Sequence, residues 1–101
     1  MPDDTNGAQA QPLPARLAEH ELRRLVGEVA GAVPGVAEVP RASQIQLASG
    51  SAGLAVTCSV LAHQGVALHE LGLSVQLAIA ELLRRAGKRV EAVNVTIYDI
   101  E

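Results

Sequence analysis

The side chains of this 101-residue chain that could do chemistry are one cysteine, three histidines and a short basic run. Cys58 and His63 lie close in sequence, and a thiol beside an imidazole is the usual way a cysteine nucleophile is activated. The surrounding pattern argues against it. Leu54, Val56, Cys58 and Val60 alternate with Ala55, Thr57, Ser59 and Leu61, so the thiol is expected on the covered side of a strand. There a cysteine is a small inert hydrophobe whose pKa burial raises. His63 falls at the strand end, facing solvent. His63, His69 and Glu70 could be imagined around a metal, but a protein zinc site takes three or four ligands. The two histidines are separated by a loop–helix junction and read as surface residues, as do His20 and Glu21. No catalytic, metal or cofactor residue is expected, and the chain does not read as an enzyme.

Two short motifs also carry little chemistry. Gly50-Ser51-Ala52-Gly53 spells GxxG, which RNA-binding KH domains place between two helices to clamp the nucleotide backbone. Here it lies between two strand patterns with no Lys or Arg nearby, and it reads as a hairpin turn. Asn94-Val95-Thr96 matches a glycosylation sequon, which has meaning only in a secreted chain. Asp3 and Asp4 near the start, without an apolar stretch, do not read as a secretory signal. Arg84, Arg85, Lys88 and Arg89 hold half of the positive charge. They suit either an anionic partner or the negative end of a helix. A KH-like nucleic-acid module using this patch is the alternative reading, and the absence of aromatic stacking residues beside it counts against nucleic acid.

These residues must be held by a small number of elements. Residues 1–13 are polar and rich in Gln, Pro and Gly, and read as a disordered tail before one domain at 14–101. Leu22, Leu25, Val26, Val29, Ala30 and Val33 recur at helical spacing and predict a helix over Ala15 to Ala32, stopped by Val33-Pro34-Gly35. Ser43 to Ala48 and Leu54 to Ala62 alternate as strands around a glycine-containing loop. Leu68, Leu71, Val75, Ala78, Ile79, Leu82 and Ala86 predict a second helix, with Gly87 just past its end. Val90 to Ile100 is the last strand. The order α-β-β-α-β, with a helical crossover between the second and third strands, makes those two parallel. The fold class is α+β: two helices packed on one face of a three-stranded mixed sheet. Strand order is left open.

That arrangement leaves one sheet face over. Gln44, Gln46, Ala55, Thr57, Ser59, Leu61, Asn94, Thr96 and Tyr98 are expected to share it, and none is charged. A solvated face ordinarily mixes Lys, Glu and Arg, so a neutral one of small side chains reads as a docking surface, and the strand edges support assembly.

Composition sets the remaining bounds. Nearly half the residues are apolar (49%), enough for a core, and Tyr98 is the one aromatic residue. A lone cysteine excludes an internal disulfide. A net charge of −3 excludes a bulk polyanion binder. The uncharged stretch from Ala42 to His69 is broken by Gln, Ser, Gly and His, so no span of about 20 apolar residues forms. A cytoplasmic protein is expected.

Val33-Pro34-Gly35-Val36-Ala37, the strand Leu54–Leu61 running into Gly65, Val75-Gln76, Ala86-Gly87 and Val90 with Val93-Asn94-Val95 together resemble the alkaline shock (Gls-type) protein family of the Gram-positive envelope stress response. The resemblance implies a non-enzymatic, self-associating scaffold or adaptor. It also implies a place at the inner face of the cell membrane, held there by a small membrane anchor protein.

Overall fold

The computed structural model describes residues 15–101; the expected tail lies outside the described residues. Five elements follow in the expected order: α1 (Ala15–Gly31), β1 (Ile45–Gly50), β2 (Gly53–Ala62), α2 (Leu68–Arg85) and β3 (Val90–Ile100). They form a three-stranded sheet in the order β1-β2-β3. β1 and β2 pair antiparallel, with Ile45 opposite Cys58 and Leu47 opposite Val56. β2 and β3 pair parallel, with Val56 opposite Val93 and Val60 opposite Ile97. The third strand therefore lies beside the second, a choice that periodicity alone leaves open.

Both helices cover the same face. Along β2 every second residue, Leu54, Val56, Cys58, Val60 and Ala62, is buried. Leu22, Val26 and Ala30 from α1 join them in one aliphatic cluster with Leu71, Val75, Ile79 and Leu83 from α2. The α2 contribution runs at intervals of four, so it favours Leu83. The expected core residues Leu68 and Ala86 are instead exposed, because they sit at the two ends of the helix and overhang the sheet.

The segment between α1 and β1 is tied down from both sides. Val36 makes a single antiparallel bridge to Ala62, and the Ala37 N–H donates to the Leu61 carbonyl at 2.8 Å. Further on, the chain crosses α1 where Gly31 has no side chain. A Cβ there would lie 2.8 Å from the Val39 Cα, closer than real carbons approach, so the helix surface needs glycine for the backbone to pass.

β1 begins two residues later than the alternation suggests. Ala42–Gln44 instead form one 3-10 turn. The Gln44 N–H donates to the Arg41 carbonyl at 2.8 Å, and the Gln44 side-chain oxygen accepts the Arg41 N–H at 2.8 Å. A polar side chain that satisfies a nearby backbone donor stabilises a turn against a strand ladder. Arg23 of α1 secures the same junction, donating through Nε to the Ile45 carbonyl at 3.2 Å.

Candidate interaction face

The second face of the sheet carries the side chains that alternate with the core. Register sets them in rows. Gln46, Thr57 and Asn94 stand side by side, as do Ala48, Ala55 and Ala92, while Ser59 lies beside Thr96. Neither described helix packs on this face. Gln46, Asn94 and Thr96 are exposed, and Thr57, Ser59 and Leu61 on the middle strand, flanked by both neighbouring strands, are half-buried. The expected set is thus largely brought together.

Three corrections follow from the register. Gln44 does not belong to the face, being spent on the 3-10 turn. Ala48 and Ala92 do belong to it and are missing from the expected set, although strict alternation from Gln46 and Asn94 finds both. The face is also neutral only at its centre. The β2–β3 ladder slips between Leu54 and Ala55 and again between Val60 and Leu61. Glu91 falls in the first irregularity and Tyr98 in the second, and Asp99 comes opposite Leu61. A bulge re-aims the residues next to it, so acidic groups and the half-exposed Tyr98 sit at the two ends of an uncharged middle.

The chemistry-bearing residues of the sequence are dispersed. Cys58 is fully buried among Val56, Val60 and the helices, whereas His63 is exposed beyond the strand end, its N–H donating to the Gly35 carbonyl at 2.9 Å. Burial pushes the Cys58 thiol from its ordinary 9.0 up to about 11. The folded chain therefore keeps the thiol proton over a range in which the unfolded chain releases it. The unfolded state binds fewer protons there, so stability falls as pH rises from about 9 toward 11, with a slope of at most about 1.4 kcal/mol per pH unit. Denaturant unfolding at pH 8 to 11 should show this fall in the wild type and a shallower one in Cys58→Ala. Equal slopes would contradict it.

Among the described residues no three His, Cys, Asp or Glu side chains stand together in a way that could hold a metal ion. The GxxG segment is the β1–β2 turn, with Gly50 paired to Gly53, and it is not a loop between helices. The basic run stays together at one end of α2, with Arg84 and Lys88 lining the same recess. Arg84 and Arg85 both bind the Glu81 carboxylate, Arg85 at 3.0 Å. Those bonds, Arg84's first, hold the Glu81 carboxyl below its ordinary range. Lys88 and Arg89 lie beyond the helix, beside a recess of about 560 Å³ floored by Leu22, Leu47 and Leu54.

No protein-family model and no curated protein sequence matches the chain. Solved structures do. It is similar to the MamM CTD M250L variant with a TM-score of 0.65 and 19% identity, over 81% of this chain and 98% of that one. The zinc form of the MamM CTD D249N variant gives a TM-score of 0.67 and 19% identity over 84% and 89% of the two chains. The manganese form of the E289D variant gives 0.62 and 20% over 78% and 95%. At such identity the likeness is one of fold. These findings correct the alkaline shock resemblance and the Gram-positive envelope stress role that came with it: the structural neighbours are MamM CTDs, and no family model supports the other assignment. The residues that suggest it, a Val-Pro-Gly helix stop, a glycine-ended strand and a valine-rich last strand, serve here to end α1, to turn the chain after β2 and to fill the inner face of β3.

Proposed function

We propose that the chain is a non-enzymatic interaction domain that pairs with a second copy of itself through the open sheet face and so acts as an adaptor or scaffold. One observation carries the reading: Gln46, Thr57, Ser59, Asn94 and Thr96 form an uncharged centre on the sheet that no described element covers. Groups of this kind lose little on leaving water, because small hydroxyls and amides can re-pair across a contact, whereas a face of Lys and Glu would have to shed strongly held hydration.

The size of the face bounds the affinity. Strands about 4.8 Å apart and a ten-residue β2 rising about 3.3 Å per residue give a flat area of roughly 400–500 Å². A standard interface takes about 800 Å² from each partner. The pairing is therefore weak and concentration-dependent, the regime of an adaptor that assembles where it is concentrated. No helix among the described residues is long and apolar enough to cross a membrane. A small membrane-held protein partner would give such a domain a place at the cytoplasmic side of a membrane. The neighbouring MamM CTD structures include zinc, manganese and nickel forms. That property is not extended to this chain, whose described acidic and histidine side chains are scattered.

Sedimentation across a hundredfold range of concentration tests the proposal. The wild type should gain mass as concentration rises. Thr57→Arg, which puts a charge at the centre of the face, should gain less mass than the wild type at each concentration, with its unfolding midpoint little changed. Wild type and variant of equal mass at every concentration would overturn it.

A further inference from the structure

The outer side of α2 holds a second pattern, independent of the sheet. The helix buries Leu71, Val75, Ile79 and Leu83. On the opposite side Leu73 is 46% exposed and Leu77, at 70%, is more exposed than any other large apolar residue described. Single exposed leucines are ordinary. These two are not isolated, since Glu70, Leu73, Leu77, Ala80 and Arg84 recur at steps of three, four, three and four, the spacing of a seam by which one helix packs on another. No other described element covers Leu73 or Leu77, and Ala80 lies half-buried at the edge of the core.

The charges at its ends select the occupant. Glu70 lies in the first turn and Arg84 and Arg85 in the last. The two arginines share one carboxylate, Glu81, so the C-terminal end keeps a surplus positive charge, and Lys88 and Arg89 follow directly. A second α2 laid parallel would set acid on acid and base on base. Laid antiparallel, it sets Glu70 of each copy beside the basic end of the other, and it also aligns the two helix dipoles favourably. The same two-fold brings the large Leu77 side chains to the axis near the small Ala80, an alternation that lets helices approach closely. A contact between identical copies about a two-fold must be self-complementary, and this stripe is. We propose that the solvent face of α2 docks antiparallel on α2 of a second copy, with Leu77 close to the two-fold axis and Glu70 beside the second copy's Arg84.

α2 lies on the covered side of the sheet, so this contact and the open sheet face point away from each other and stand or fall separately. The test uses the full chain and introduced thiols. Cys58 is fully buried, which leaves a new surface cysteine as the reactive one. Leu77→Cys under mild oxidation with diamide should give a disulfide-linked dimer roughly tenfold faster than Glu38→Cys, an exposed position away from the seam, because a residue near a two-fold axis meets its own copy. Adding Thr57→Arg should leave that rate unchanged even if the sheet face does not pair at all. Glu70→Arg in the Leu77→Cys chain should slow the linkage, and Glu70→Arg with Arg84→Glu should recover it. Equal rates for Leu77→Cys and Glu38→Cys would overturn the proposal. So would a charge swap that fails to recover the rate, which would remove the antiparallel register.

Discussion

Gly53→Ala should destabilise the fold by about 3 kcal/mol or more, through backbone strain and a backbone clash together. Gly53 opens β2 with φ at +129°, a conformation that a residue with a Cβ adopts at a cost of about 1–3 kcal/mol. The added carbon would also lie 2.6 Å from the Arg89 carbonyl oxygen and 3.0 Å from its carbon. Those atoms cannot swing aside freely, because the same oxygen accepts the Leu54 N–H at 2.8 Å and that bond starts the pairing of β2 with β3. Relieving the clash means opening the first rung of the parallel ladder. Gly50→Ala is the control: its new carbon would meet nothing nearer than 3.5 Å, and its cost should stay within about 1 kcal/mol. Denaturant unfolding of both variants checks this, and similar losses in the two would contradict it.

The second large effect is expected in the core. Ile79 has no exposed surface and sits in the middle of α2 against the sheet. Ile79→Ala should cost about 3–4 kcal/mol, within the range for large-to-small changes that leave a cavity. For a domain whose whole stability is about 5–15 kcal/mol, that is a substantial fraction. Two residues earlier Leu77 is mostly exposed, and Leu77→Ala should change stability by no more than about 0.5 kcal/mol at a concentration where the chain is monomeric. The contrast places the two sides of α2 by measurement, and a comparable loss for both would mean that the helix is rotated.

Much of this architecture is legible in the residue pattern. The alternation of Leu54, Val56, Cys58 and Val60 marks the inner face of β2, because a pleated strand sends successive side chains to opposite sides. The helix spacings mark α1 and α2 to within a residue or two. What the pattern misses has local physical causes. Gln44 fits a strand by alternation, but its side chain reaches the Arg41 N–H, a contact that hydropathy does not register. Glu91 and Tyr98 fit a straight β3, but two slips in the ladder shift them, and nothing in the sequence announces a bulge in a valine-rich strand. Gly31 falls inside the helical pattern without comment, and its constraint comes from the backbone at Val39, eight residues on in the chain. The neutral sheet face follows from strand phase and holds at its centre. The family resemblance does not hold: no family model matches, and turn glycines and strand valines report where the chain bends and pleats. The leucine seam on α2 is masked in the sequence because the core face of the helix accounts for most of its apolar residues.

Whether copies meet on the open side of the sheet can be asked residue by residue. The measurement is backbone amide NMR of the wild-type chain, diluted stepwise from about a millimolar to about ten micromolar, which spans the weak-affinity range. The amide resonances of Gln46, Thr57, Ser59, Asn94 and Thr96 should move together along one binding curve. Should dilution leave those five fixed, whether the spectrum is constant throughout or moves elsewhere, copies do not meet on that face.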